Sequence, residues 1–283
     1  ENGWVKAKGT TLGADNGIGA AAAMTVLEAT DIAHGPIEAL FTIDEETGMT
    51  GANKLQPGLL KGDILMNMDS ETEGELYVGC AGGIDTIGTF SPKYEDIADN
   101  MTAYRLFVKG LKGGHSGMDI NLGHANANKV LNTMLLMAAE KYGLRLASID
   151  GGSLRNAIPR EAEAIVIVPA DKQNDFEQYA AEYEGIVKEE FAKVEPDAAI
   201  LCEKAAMPKQ VIDIETQDQL FSAIARYPNG VIAMSSDFEG TTETSSNLAT
   251  IKMENGKIVT AALTRSLVDA SKDKLAEQIR KNL

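Results

Sequence analysis

Acidic residues at three separate places in the first quarter of the chain have the chemistry of a metal site. Asp15 lies in TLGADNGIG, the pair Glu45-Glu46 lies in FTIDEETGMTG, and Asp69 lies in MNMDSE. Carboxylates that converge repel one another and are costly to bury without a partner, so a shared crevice implies a bound cation or protonation. Carboxylate oxygens bind Mg, Ca, Mn and Zn, and Zn usually takes nitrogen or sulfur ligands as well. The acids by themselves therefore leave the metal undecided.

Two short apolar runs would place most of these acids at one edge of a sheet. Residues 37–43 and 63–68 are rich in aliphatic side chains and are broken by Gly and acid, which predicts buried strands. In open α/β sheets, ligands bind beyond the carboxyl ends of the strands. Glu45, Glu46 and Asp69 would then lie in that crevice. The ordinary alternative for the Glu pair is a solvated turn.

Asp15 precedes GIGAAAAMTVLEAT, which predicts a helix of small residues that begins near Gly17. An acid just ahead of a helix also favours the positive end of the helix dipole, so this position has an ordinary structural explanation as well.

The second part of the chain has a different pattern. Strands are predicted over TAYRLFVKG, LRLASID and EAEAIVIVP, and helices over NLGHANANKVLNTMLLMAAEKYG and from about Asp171 to Lys193. Strand, helix, two strands and helix suggest a ferredoxin-like unit. A shorter cycle follows, with a helix over QDQLFSAIARY, a strand over VIAMS and a hairpin around Asn255-Gly256. We therefore predict an α/β fold with two domains: a partial catalytic domain with a mixed sheet over 1–97, and an α+β domain of one or two ferredoxin-like units over 98–283.

Composition excludes several functional classes. The chain has 283 residues, a formal charge of −16 and a pI near 4.6. These values argue against binding of a nucleic-acid backbone, which requires basic surface. No apolar run approaches the length of a membrane span, so no membrane partner is expected. Cys80 and Cys202 are too few for a disulfide framework, and a reducing, cytoplasmic location is the default expectation.

Six motifs in order carry a resemblance to a known family. They are ADNGIGAAAAM, FTIDEETGMTGA, MDSE, VGCAGGID, KGGHSG and GGSLRNAIPRE. With them the chain resembles the aminoacyl-histidine dipeptidase, or cytosol non-specific dipeptidase, group of dinuclear zinc metallopeptidases. The resemblance implies a zinc-exopeptidase-like catalytic domain, an inserted ferredoxin-like lid domain, two Zn ions with Co or Mn as alternatives, and a small peptide substrate. It also allows a homodimer through the lid domain.

The resemblance divides the acids by role. Asp15 is expected to bridge the two metals, Glu46 to bind one of them and Asp69 the other, while Glu45 acts as the general base. Two metals roughly 4 Å apart lower the pKa of a shared water and polarise the scissile carbonyl. Glu45 can then take the water's proton and pass it to the leaving amine.

Three residues of the second domain are expected to act on the substrate. By resemblance His115, in KGGHSG, stabilises the oxyanion from the lid, and Asn156 contacts the substrate. A surface histidine and a turn asparagine ahead of Pro159 are the ordinary alternatives. The Arg that the broader family has thirteen residues after Asn156 is Pro169 here. Arg265 is the best remaining cation to grip a substrate carboxylate, although strand-end arginines are commonly surface residues.

Two family motifs are expected outside the printed chain. The first His-x-Asp motif would lie upstream of residue 1 and the last histidine ligand downstream of residue 283, which predicts that this chain is an internal fragment and is inactive by itself. The expected activity of the parent protein is hydrolysis of dipeptides, either Xaa-His or of broad specificity. A tripeptidase, an N-acyl amino acid amidohydrolase and a non-catalytic lid or dimerisation module remain as alternatives.

Overall fold

The structure, a computed structural model, describes residues 3–10, 12–70 and 73–282, and it describes residues 46 and 47 by their backbone alone. Contacts between Cα atoms divide the chain into two compact units, 1–79 and 80–283. The domain boundary predicted after residue 97 stays a prediction. Among the helices of the described residues, none has the length and apolar character needed to cross a membrane.

The described part of the first unit contains helices and irregular segments. The helices are α1 (Ala14–Glu28), α2 (Glu45–Gly48) and α3 (Thr50–Asn53). Regular helical geometry in α1 begins after Asn16, as the prediction near Gly17 requires. Gly19 is the only buried residue among those that the structure describes in this unit.

The two strands predicted in the first unit are wrong for this chain. Residues 37–43 and 63–68 form no strand, and Ile64 and Leu65 are 85% and 80% exposed. A strand forms only when a neighbour accepts and donates its backbone hydrogen bonds, and an apolar face is buried only against another element. Within the described residues of this unit, neither run has such a neighbour. The mixed sheet predicted for residues 1–97 is consequently not found among the described residues of this first unit.

The second unit is built around an eight-stranded sheet, so the α/β class is confirmed. Its helices are α4 (Ala127–Tyr142), α5 (Gln173–Glu190), α6 (Ile214–Arg226) and α7 (Asp269–Lys281). Its strands are β1 (Gly82–Phe90), β2 (Tyr94–Asp96), β3 (Met101–Lys109), β4 (Gly114–His115), β5 (Arg145–Gly151), β6 (Ala157–Ile158), β7 (Ala162–Pro169), β8 (Ala199–Lys204), β9 (Gln210–Ile212), β10 (Gly230–Met234), β11 (Thr242–Glu254) and β12 (Lys257–Ser266). Short 3-10 helices cover Ile120–Leu122 and Ala170–Lys172.

Topology confirms the ferredoxin-like unit. The strand order of the main sheet is β1-β12-β11-β5-β7-β3-β8, with β10 paired to β11. The part β5-β7-β3-β8, together with α4 and α5, is a β-α-β-β-α-β arrangement. The sequence predicted its first five elements, and the structure adds the last strand, β8. Helix α4 stops at Gly143, which adopts the left-handed conformation that a C-terminal cap favours. One core lies between this sheet and the helices, and its largest fully buried side chains include Tyr104, Phe176 and Phe221.

The second cycle extends the same sheet. Strands β11 and β12 form the predicted hairpin, with Glu254 opposite Lys257 and positive φ at Asn255 and Gly256. Two positive φ values in a two-residue turn match the twist of a hairpin, which explains the Asn-Gly pair. The hairpin brings the end of β12, and with it Arg265, into a sheet between β1 and β11.

Candidate active site

The described acids of the first unit do not form a metal site in the structure. Asp15 lies at the start of α1, Glu45 begins α2, and Asp69 lies in an irregular segment; all three are exposed. The side chain of Glu46 lies outside the described residues. In the part of the chain that the structure describes, no three His, Cys, Asp or Glu side chains are close enough to hold a metal ion. The metal and base roles of these four acids therefore stay predictions.

His115 and Arg265 lie close together around Gly117 in the second unit, although 149 residues lie between them in the sequence. A Cβ built on Gly117 would lie 3.1 Å from Cε1 of His115 and 3.4 Å from Cζ of Arg265. Contacts this short are tighter than most Cβ contacts, so the absence of a side chain at Gly117 leaves room for the imidazole and the guanidinium to lie next to the same point of the backbone. The structure thus brings together two of the residues predicted to act on the substrate.

The loop of Asn156 is paired with the loop of His115. Strand β4 pairs with β6, which places His115 opposite Ala157. The N–H of Ser116 donates to the carbonyl of Asn156 at 2.7 Å. The side chain of Asn156 is exposed. All three predicted substrate residues of the second unit therefore lie on neighbouring segments.

Backbone donors fix the chemical state of the His115 ring. The N–H groups of Gly117 and Met118 donate to its Nδ1 at 3.3 and 3.2 Å. A ring nitrogen that accepts hydrogen bonds carries no proton, so this network assigns the neutral tautomer with the proton on Nε2. Burial, and next the positive charge of Arg265, lower the pKa of His115, while Asp119 opposes them. At neutral pH His115 is consequently an uncharged Nε2–H donor.

Arg265 is a half-buried cation that lacks a full set of acceptors. It lies opposite Gly83 of β1 and Ser245 of β11. Its Nε is buried and has no hydrogen-bond partner among the described residues. Burial, followed by the charge of Arg155, lowers the pKa of Arg265, although a guanidinium remains protonated in proteins. Arg155 itself is paired with Asp85. Such an arginine is suited to a planar anion that accepts two hydrogen bonds, and a carboxylate is the commonest one.

Buried asparagines hold this arrangement in place. Asn247 of β11 donates to the carbonyl of Ala157 at 2.8 Å and thereby supports the Asn156 loop. Asn126, at the start of α4, donates to the side chain of Asn247 and to the carbonyl of Leu248. A charge-neutral amide that is fully hydrogen-bonded can be buried at little cost, and it fixes its neighbours. The sequence signal for Asn247 was the polar run TETSSN at the start of an otherwise apolar strand, and the sequence-based prediction missed it.

The chain is similar to known proteins along nearly its whole length. The chain is 45% identical over 270 residues to the cytosol non-specific dipeptidase of Escherichia coli, which is 95% of this chain. All of the chain superimposes on the crystal structure of the aminoacylhistidine dipeptidase from Vibrio alginolyticus, with 47% identity and a TM-score of 0.81. The chain is a homologue of this dipeptidase group. The resemblance drawn from the six motifs is therefore confirmed.

The chain spans only part of the length of these two relatives. It spans 56% of the length of the E. coli protein and 58% of the Vibrio chain. Residues 108–195 match a further family model, the peptidase dimerisation domain. This match includes His115, Asn156 and most of the ferredoxin-like unit, whereas Arg265 lies outside it.

The electrostatic effect of Arg265 on His115 predicts a titration that NMR can follow. Replacing Arg265 by Met removes one of the two causes that lower the pKa of His115, so the pKa should rise while burial keeps it below the ordinary 6.5. The measurement is the pH dependence of the imidazole Cε1–H signal, and the chain has only three histidines. Arg105→Met removes an arginine elsewhere on the same sheet and should leave the titration unchanged.

The sign of the stability effect follows from the same shift. Because the folded pKa of His115 lies below the unfolded value, the unfolded chain binds the proton first as the pH falls. His115 therefore contributes stability that is present above about pH 6.5 and lost at lower pH. A titration midpoint of His115 above 6.5, or no shift in Arg265→Met, would contradict this picture.

Proposed function

We propose that the protein to which this chain belongs hydrolyses dipeptides, of the Xaa-His type or with broad specificity. The identity of 45–47% to two dipeptidases over nearly the whole chain carries the proposal. The neighbouring positions of His115, Asn156 and Arg265 support it, because a dipeptide presents the two groups that these residues can bind: a carbonyl and a terminal carboxylate.

The second unit binds and orients the substrate in this proposal. The guanidinium of Arg265 grips the terminal carboxylate of the dipeptide, and the unpartnered Nε gains an acceptor. The neutral His115 donates from Nε2 to the oxygen of the scissile carbonyl, where negative charge develops during attack. Asn156 offers its exposed amide to the peptide backbone of the substrate. A neutral donor suits this task because it needs no protonation change at neutral pH.

The first unit supplies the hydrolytic groups. Glu45 is the proposed base that takes a proton from the attacking water and delivers it to the leaving amine. Asp15, Glu46 and Asp69 are the proposed ligands of two Zn ions, with Co or Mn as alternatives. Their oxygen chemistry fits a divalent cation. Among the described residues, which do not include the side chain of Glu46, no group of such side chains forms a metal site, and the ligand roles rest on this oxygen chemistry.

We further propose a cytoplasmic homodimer. The match of residues 108–195 to a peptidase dimerisation domain supports self-association through this part of the chain. The printed name of the E. coli relative, a cytosol dipeptidase, supports the location. The same match favours a second candidate function, in which the chain serves as a non-catalytic dimerisation module.

A substrate panel with the full-length protein tests the proposed function. We expect hydrolysis of free dipeptides, including an Xaa-His dipeptide, at rates at least tenfold above those of tripeptides and N-acyl amino acids, because both similar proteins are named dipeptidases. The bound metal is measured on the same sample by elemental analysis. Preference for tripeptides or N-acyl amino acids would replace the dipeptidase assignment, and dimers without any turnover would favour the dimerisation module.

A further inference from the structure

A buried carboxylate, Glu195, lies beneath the segment that carries His115. Glu195 is 1% exposed and lies in the connection between α5 and β8. Its Oε2 accepts from the N–H of Lys112 at 2.8 Å, and its Oε1 accepts from the N–H of Ala125 at 3.0 Å. These two amides are the two ends of the segment 112–125, here called the His115 loop. One side chain therefore closes the base of the whole loop.

These two hydrogen bonds explain how the carboxylate of Glu195 can be buried. In the part of the chain that the structure describes, Glu195 takes part in no ion pair. A carboxylate buried without a cation is unfavourable unless other donors replace the lost water. Two backbone N–H groups, one on each oxygen, provide charge-assisted bonds that do so. A residue that only filled space at this position would not need the charge.

The support beneath Glu195 is itself well fixed. Its N–H donates to the carbonyl of Phe191 at 2.8 Å, so the residue continues directly from the end of α5. A Cβ at Gly110 would collide with the backbone carbonyl of Asp197, which shows that the turn after Glu195 packs directly on the backbone just ahead of the His115 loop. Inside the loop, the ring of His124 also contacts the carbonyl of Gly113. The loop is thus anchored to rigid elements at its base, and Glu195 is the anchor common to both ends.

We propose that Glu195 is a positioning residue for His115. By holding both ends of the His115 loop, Glu195 keeps the imidazole beside Arg265 and keeps its Nε2–H available as a donor to the substrate. Glu195 touches no substrate and acts only through His115. This inference rests on the proposed dipeptide hydrolysis for its functional consequence, whereas its structural part does not depend on that activity.

Kinetics of Glu195→Gln in the full-length protein test the functional part. Glutamine keeps the size of the side chain and one acceptor oxygen, but its NH2 group faces one of the two N–H donors and cannot accept from it. We expect kcat/KM for a dipeptide to fall roughly tenfold to a hundredfold, mainly in kcat, because one charge-assisted bond is lost and the other weakened. In a His115→Ala background the same change should cost less than about twofold, since a residue that acts through His115 has nothing left to position.

Glu189→Gln is the matched control, because it removes the same charge from an exposed position near the end of α5. It should leave kcat and KM unchanged. Equal losses from Glu195→Gln in the wild-type and His115→Ala backgrounds would show a general structural role and overturn the proposal. If Glu195→Gln does not fold, Glu195→Asp keeps the charge with a shorter reach and is tested in the same two backgrounds.

Hydrogen exchange and NMR on this chain test the structural part without any activity. Glu195→Gln should speed amide exchange at Lys112 and Ala125 by at least tenfold and shift the His115 imidazole signals, while the amides of β3 and β7 keep their protection. Unchanged exchange or unchanged His115 signals would overturn the proposal. Absence of dipeptidase activity in the wild-type full-length protein would instead refute the proposed function, and these two measurements would still decide whether Glu195 positions His115.

Discussion

Glu45→Gln in the full-length protein is expected to lower kcat for dipeptides by about 10³-fold. Glutamine keeps the shape of the side chain and loses the basic oxygen, so it cannot take a proton from the attacking water. General acid–base catalysis contributes about 10²- to 10⁴-fold in enzymes, and an acid that serves first as base and then as proton donor lies within that range. The measurement is the initial rate at saturating dipeptide.

The metal content of the Glu45→Gln protein separates the base from the ligands. Because Glu45 is the proposed base and its neighbour Glu46 a proposed ligand, Glu45→Gln should keep the wild-type amount of bound metal, whereas Glu46→Gln should lose part of it. Glu28→Gln, an exposed change at the end of α1, is the control for both readings. Turnover of Glu45→Gln within about threefold of wild type would assign the base to another group.

The sequence predicted the second unit well because its signals are local. Helical spacing of apolar residues, Gly143 after α4 and Asn255-Gly256 between β11 and β12 each specify an element within a few residues of themselves. The order β-α-β-β-α-β then leaves few ways to form one sheet, and the ferredoxin-like arrangement is the one found. The first five of these elements were predicted from the sequence, and strand β8 was not.

In the first unit, local sequence patterns predicted strands that the structure does not contain among its described residues. The apolar residues of 37–43 and 63–68 predict burial, but burial and strand pairing are properties of an element together with its neighbours. Within the residues described for this unit, Ile64 and Leu65 remain exposed and neither run forms a strand. A local sequence pattern indicates that a segment can form a strand, but it does not identify the strand with which the segment pairs.

The candidate site was predictable by residue type and not by position. His115 was predicted from the family resemblance of its motif and Arg265 as the best remaining cation at a strand end, and no local signal relates the two. Their proximity depends on the register of β12 between β1 and β11 and on the missing side chain of Gly117. No sequence pattern distinguished Glu195, because an acid in KVEPD is typical of a surface turn. Its proposed role follows only from its burial beneath the His115 loop.

Arg265→Met is expected to lower kcat/KM for dipeptides by about 10²-fold or more. A charge-assisted bond contributes about 1.5–3 kcal/mol, and a guanidinium that grips a carboxylate with two such bonds contributes correspondingly more. The loss should appear largely in KM, since the terminal carboxylate is bound alike before and during reaction. Arg265→Lys keeps the charge without the planar fork and should recover only part of the loss.

A comparison of a dipeptide with its amide tests whether Arg265 binds the terminal carboxylate of the substrate. A dipeptide amide lacks the group that Arg265 is proposed to bind, so the wild-type protein should hydrolyse it poorly, and Arg265→Met should hydrolyse the dipeptide and its amide at similar rates. Arg105→Met is the matched control, because Arg105 lies in β3 of the same sheet and is already paired with Glu163 at 2.5 Å. If Arg265→Met instead lowered the rates for the dipeptide and its amide by the same factor, Arg265 would act on the reacting centre or on His115. The acceptor of its buried Nε–H would then have to be sought elsewhere than at the substrate terminus.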